Sequence, residues 1–302
     1  MTPLPRQVHI SLTGRAHEMG VDFVTSAGSR GLAAKFGTSP SALTSVAPAT
    51  STQFSGAGWT ATMNAAYMTG LAPATTYYYA VGSDAEGWSE TFSFVNEQAA
   101  RPPIAAVFAD FGYGNDISMP EILRASAAGE FDLILHAGDV AYDLDSSNSQ
   151  TGNNYMNAIQ PATATKPYMF ATGNHETYGT QGGNKFLQFA ARFSSYAAGV
   201  GNSSGSGSML WFSFNLDKVH YLFFCTENVA APLSAAQMEA QLAFMTADLK
   251  AVDRSVTPWV VSVGHKFYSM DTLNWQPYED VLNPGGVDLH LCGHWHCACA
   301  AG

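Results

Sequence analysis

Five short motifs between Asp110 and His296 each close an apolar run, and together they carry seven side chains able to hold a metal ion. Asp110-Phe111-Gly112 ends IAAVFAD, and Gly138-Asp139-Val140-Ala141-Tyr142 ends DLILHAGDV. Gly173-Asn174-His175-Glu176 follows PYMFAT, Gly264-His265 follows WVVSV, and Gly293-His294-Trp295-His296 follows VDLHLC. Such runs read as buried strands, so each motif falls where a strand turns into a loop. Glycines beside the ligands suit tight turns in which backbone approaches an ion closely. In a strand, the spacing of His294 and His296 turns both rings to one face. Between the motifs, strands alternate with helical patterns, which indicates a layered α/β architecture with ligands at the carboxyl ends of strands.

The residue types sort by hardness. A carboxylate such as Asp139 can bridge two cations, the arrangement that clamps a phosphoryl group between metals about 3.5–4 Å apart. Tyr142 discriminates, because a phenol of pKa about 10 ionises near neutrality only on a strongly charged Lewis acid. Ferric iron fits best. Asp110, Tyr142, His296 and shared Asp139 are then assigned to Fe(III), and Asn174, His265 and His294 with Asp139 to a divalent ion: zinc, manganese or ferrous iron. Singly, Asp110 and Asn174 would read as turn formers and Tyr142 as a half-buried aromatic; their joint occurrence carries the assignment. His9, His17, His136, His220 and His290 read as structural.

On these motifs the chain resembles the purple acid phosphatases, within the calcineurin-like metallophosphoesterases. The signatures DxG, GDxxY, GNH followed by Glu or Asp, VxxH and GHxH occur in order, with Ser262 the one variation, three residues before His265. The resemblance implies the same metal assignment and an acid phosphatase that hydrolyses phosphate monoesters by hydroxide attack at a dinuclear Fe(III) and divalent-metal centre. It implies that His175 touches the substrate phosphate as a catalytic residue; Glu176, next to it, reads as orienting its neighbours. Secretion or vacuolar residence is expected from relatives, although the start MTPLPRQVHI lacks a signal peptide's charged head and apolar run. Open alternatives are a phosphodiesterase, pyrophosphatase or phytase of the same family, and a non-catalytic protein that binds metal or a partner. Where plant-type relatives carry histidines able to protonate the leaving group, this chain has Asn274 and Trp275, and no general acid is assigned. Ala298 and Ala300 stand where relatives tend to show Tyr and Arg, and relatives continue with further strands, so an incomplete C-terminal end is expected.

Residues 1–98 read differently, as short alternating runs (QVHISL, MGVDFVT, LAAKFGT, NAAYMTG, TTYYYAVG, SETFSFV) separated by Gly, Ser, Pro and Asp. That predicts an all-β sandwich, similar to fibronectin III domains, with Leu71 to Tyr77 forming the corner that pins a tyrosine. Residues 99–103 read as a linker and 104–302 as the metallophosphoesterase domain, its sheets flanked by helices. Ser234 and Gln237 have capping-box spacing, and Met238, Leu242, Met245, Leu249 and Val252 form a core stripe. MLWFSFNLDKVHYLFFCTE predicts a hairpin turning at Asp217-Lys218, and VGNSSGSGS, which holds the sequon Asn202-Ser203-Ser204, predicts an unpacked surface loop.

Thirteen basic against 24 acidic side chains give a net charge of −11, which disfavours nucleic-acid backbone binding. A phosphate ester remains a feasible substrate because metal charge dominates the field inside such a site. No run is long and apolar enough to span a membrane. Cys225 reads as a core residue, while Cys292, Cys297 and Cys299 crowd His294 and His296 and leave a disulfide or, less readily, a soft zinc cluster open. Neither substrate nor oligomeric state follows from these residues.

Overall fold

The computed structural model describes residues 5–96, 101–114, 116–177, 186–227, 233–267 and 272–296, the side chains of 272–274 excepted. The N-terminal part is a sandwich of two antiparallel sheets. One runs in the order Arg6–Leu12, Glu18–Thr25, Trp59–Thr69, Thr50–Gly56. The other runs Ser45–Pro48, Ala33–Gly37, Thr75–Ser83, Gly87–Trp88, with Phe92–Asn96 also paired to Thr75–Ser83. Val8, Ile10, Val21 and Phe23 of the first sheet pack on Ala34, Phe36, Tyr79 and Phe94 of the second. The expected corner is formed: the Ala72 amide donates to Tyr77 Oη at 2.9 Å.

In the second part, parallel strands Ala105–Phe108, Leu133–Ala137 and Tyr168–Ala171 form one sheet. A second sheet runs Phe212–Leu216, Val219–Phe223, Trp259–Val263, Leu289–Leu291; its first pair is the expected hairpin, with Leu216 opposite Val219, and the remaining pairs are parallel. Leu133, Leu135 and Phe170 meet Phe212, Phe223 and Val263 in one core between the sheets. Helices Ala235–Ala251 and Thr272–Leu282 cover the outer face of the second sheet through Met245, Leu249 and Tyr278 against Leu222, Phe224 and Val260. On the first sheet's side, Gln150–Thr163 lies between that sheet and the sandwich, where Thr163 Oγ1 donates to Val8 O and Tyr79 Oη donates to Ala164 O at 2.7 Å.

One expectation needs correction and another needs an addition. Gly199 to Ser208 is not an unpacked loop: Ala197–Gly201 and Asn202–Ser204 are helical turns, Gly199, Val200 and Gly201 are buried, and Ser203 Oγ donates to Thr13 O at 2.5 Å. Backbone hydrogen bonds and this contact with the sandwich supply the order that composition does not. The stripe on Ala235–Ala251 is core as expected, but it omitted a polar neighbour: Gln241, as fully buried as Met245, donates to Cys225 O and accepts from Cys225 N, both at 2.9 Å. Among the described residues no helix is long and apolar enough to cross a membrane.

Candidate metal centre

All seven sequence-chosen ligands lie on loops that leave the C-terminal ends of these strands, and they converge in two groups. In the first, Asp139, His265 and His294 offer ligand atoms all within 4.8 Å of one another. His265 is fully buried, and its Nδ1 donates to Ala137 O at 2.8 Å, so Nε2 keeps a lone pair. That nitrogen lies 3.1 Å from each of Asp139 Oδ2, Asn174 Oδ1 and His294 Nδ1. A lone pair facing acceptor oxygens is repulsive unless a cation or proton sits between them, so the donor set fits a metal ion. Burial disfavours charge on His265, yet the hydrogen bond and charge of Asp139 outweigh it and raise the imidazole to about 9. A proton there takes the place a cation would fill. His294 shifts the other way, lowered by burial and then by the charges of His265 and Lys266.

Asp110, Tyr142 and His296 form the second group. Tyr142 Oη donates to Asp110 Oδ1 at 3.1 Å and lies 2.7 Å from His296 Nε2, which is 3.4 Å from Asp110 Oδ1. Burial, then the charges of Asp110 and Asp139, push the phenol well above its ordinary pKa. Only a strongly charged cation among these oxygens would reverse that order and bind it as phenolate. The groups adjoin, with His265 Nε2 4.0 Å from Asp110 Oδ1.

Local backbone, not strand alternation, makes the rings converge. Strand Leu289–Leu291 ends before both histidines, and His294 and His296 reach the site through positive φ values of 77° and 49°. Asp110, Asp139 and Tyr142 are likewise at φ 54°, 58° and 44°, a region sparsely used by such residues that clusters at functional sites. Gly173 is required by close approach, since a Cβ there would collide with the Asp139 carboxylate. Buried Glu176 ties two loops together: Oε2 accepts from Asp139 N at 3.0 Å and Gly173 N at 2.7 Å, and Oε1 accepts from Val140 N at 2.9 Å. Burial, then the charge of Asp139, pushes its carboxyl up to about 8.

His175 lies beside the ligands. Its amide donates to Asp139 Oδ1 at 2.9 Å, and its Nε2 is 3.9 Å from Asp139 Oδ2. Asp143, which the sequence reading did not select, holds His175 Nδ1 at 2.6 Å. Burial disfavours the charged ring, but the Asp143 hydrogen bond and the charges of Asp139 and Asp143 outweigh it and raise the imidazole. Asp143 directly follows Tyr142, and that adjacency was the one signal that could have found it. Trp275 is buried against Phe224, Tyr278 and His290, so it belongs to the core. Of the structural histidines, His136 is fully buried with Nδ1 2.5 Å from Tyr168 Oη, and His290 bridges Ser262 Oγ and Lys266 O. The expected disulfide or zinc cluster involves Cys297 and Cys299, and it lies outside the described residues, as do Ala298, Ala300 and the Asn274 side chain.

The purple acid phosphatase N-terminal domain family matches residues 5–96, and the calcineurin-like phosphoesterase family matches residues 105–298. Acid phosphatase type 7 of Homo sapiens is 31% identical across 97% of this chain and 69% of its own length. Probable inactive purple acid phosphatase 9 of Arabidopsis thaliana is 29% identical across 87% of this chain and 46% of its own. The structure of purple acid phosphatase PPD1 from yellow lupin seeds superposes with a TM-score of 0.77 at 20% identity, over 97% of this chain and 58% of that one. The chain therefore spans between 46% and 69% of the lengths of these proteins. With both family domains matched in order along nearly its whole length, the chain belongs to the purple acid phosphatases, within the calcineurin-like phosphoesterases.

Proposed function

We propose that the chain is an acid phosphatase that hydrolyses phosphate monoesters at a dinuclear centre of Fe(III) and a divalent ion: zinc, manganese or ferrous iron. The observation that carries this is the meeting of His265 Nε2 with Asp139 Oδ2, Asn174 Oδ1 and His294 Nδ1 at 3.1 Å each. Those four residues would hold the divalent ion, and Asp110, Tyr142, His296 and shared Asp139 the ferric ion. When bound, the pair supplies an acidified water and positive charge for the phosphate oxygens.

The chain's own residues do the rest. His175 turns Nε2 toward the centre because Asp143 holds its other nitrogen, and the protonated ring, which the Asp143 and Asp139 carboxylates favour, presents an N–H to a phosphate oxygen. The Tyr142 ring packs edge-on against His175 at a centroid distance of 4.4 Å and limits its swing. Glu176 keeps the Asp139 and Gly173 turns in register. Trp275 is buried and offers no acid, so the leaving group takes its proton from solvent or His175, or departs unprotonated. Secretion or residence in a vacuole, as expected for this family, is part of the proposal.

A second reading, a metal-binding protein without turnover, is motivated by the Arabidopsis relative whose name carries the word inactive. One preparation separates the two, analysed for metals, visible spectrum and hydrolysis of a monoester and a bis-ester. The expected result is one iron and one divalent ion per chain, a phenolate charge-transfer band that Tyr142→Phe removes, and faster monoester cleavage. A colourless, zinc-only preparation at full turnover overturns the ferric assignment; loaded protein without turnover selects the second reading.

A further inference from the structure

Lys266 directly follows the ligand His265, and each of its polar groups is held. Its amide donates to Thr226 Oγ1 at 3.0 Å. Its carbonyl accepts from His290 Nε2 at 3.0 Å, and because that nitrogen must then carry the proton, His290 Nδ1 accepts from Ser262 Oγ at 2.9 Å. Its ammonium lies 2.6 Å from Glu227 Oε2, a carboxylate only 1% exposed whose other oxygen takes Thr226 Oγ1 at 3.2 Å. Ser262, the variation in the VxxH signature, is thus the outer end of a chain of contacts that finishes on the residue after the ligand.

The charge placement adds a second constraint. An ammonium left free one residue from a metal ligand would repel a divalent ion, whereas an ammonium held on a buried carboxylate is neutralised and kept to one side. Glu227 and Lys266 lie four and three residues beyond the C-terminal ends of adjacent parallel strands, at Phe223 and Val263, so the pair also ties the two following loops together. We propose that Lys266, clamped by Glu227, Thr226 and His290, is a positioning residue that sets His265 for the divalent half of the centre. This rests on the metal-centre reading above.

The test compares Lys266→Met, Lys266→Arg and Glu227→Gln with the unaltered full chain, first loaded with iron and then equilibrated against graded free zinc. Metal content is read by mass spectrometry, the visible band by absorbance, and folding by melting of the metal-free protein. Lys266→Met is expected to need about tenfold more free zinc for half-loading, in the range seen when groups behind a metal ligand are removed. Its iron content and visible band stay unchanged, Glu227→Gln weakens zinc in the same direction, and Lys266→Arg recovers most of the loss. Zinc affinity unchanged in Lys266→Met or Glu227→Gln overturns the proposal. Equal loss of both metals, or failure of these two variants to fold, overturns it in favour of a purely structural ion pair. An unaltered chain that binds neither metal overturns the underlying metal-centre reading, a result distinct from all of these.

Discussion

In the proposed centre, Asp139 is the residue that both metal groups share. One of its oxygens faces His265, the other accepts the His175 amide, and its own amide is held by Glu176. Asp139→Asn keeps the shape and removes the charge, so metal pairing and turnover should vanish together while the fold persists. Elemental analysis beside an activity assay checks this, and near-native turnover would exclude Asp139 as the shared ligand. At this scale the candidate ligands were legible because five motifs in order constrain one another. Asp143, Glu176 as a two-loop clamp, and Lys266 with Glu227 were less so. Their roles come from contacts between segments far apart in the chain, and a lone Lys or Glu beside a motif has no pattern to mark it. Positive φ at Asp110, Asp139, Tyr142, His294 and His296 was equally hidden, because none of these is the glycine that usually announces such a backbone.

Strands marked by alternation or by an apolar run were found from the sequence, and those with neither were missed. Ser45–Pro48 and Thr50–Gly56 are mostly exposed edge segments, so nothing in their composition separates them from loops. The capping box at Ser234 formed as its spacing required, with Ser234 Oγ accepting from Gln237 N at 3.2 Å and Gln237 Oε1 accepting from Ser234 N at 3.0 Å. The helix it starts faces the sheet partly through Gln241, whose amide completes both backbone groups of Cys225 just beyond strand Val219–Phe223. A stripe count reads Gln241 as a solvent position, yet Cys225 N and O need partners in a buried place. Gln241→Leu fits the volume and leaves the Cys225 amide unpaired, while Tyr278 Oη still donates to Cys225 O at 3.0 Å, so it should destabilise by about 1–3 kcal/mol, the cost of one stranded buried group. Denaturant unfolding measures it, and a Leu variant as stable as the parent would show that the Cys225 amide finds another partner.

Across the whole molecule, the first strand explains how the two parts are joined. Val8 and Ile10 face the sandwich core, while Gln7, His9 and Ser11 on the other side are no more than 4% exposed. The alternation was visible in the sequence, but its polar half meets the second domain and not water. There Gln7 takes Arg192 Nη1, and the guanidinium lies 4.5 Å over the Trp59 ring. Asp22, opposite His9 on the next strand, accepts from Ser194 Oγ and Ser195 N at 2.9 Å each, and from Ser195 Oγ. A seam of this kind couples the domains through hydrogen bonds that only the docked state makes, so the intact chain should unfold in one transition. Asp22→Ala strands the buried Ser195 amide and frees two hydroxyls, a loss of about 3 kcal/mol concentrated at the seam. Calorimetry should then resolve separate melting of the sandwich and the α/β domain. The metal-binding stoichiometry should survive, because none of the candidate ligands Asp110, Asp139, Tyr142, Asn174, His265, His294 and His296 is among the seam residues Gln7, Asp22, Arg192, Ser194 and Ser195. A variant that still melts in one step, at the parent temperature, would show that apolar contacts and not Asp22 join the two domains.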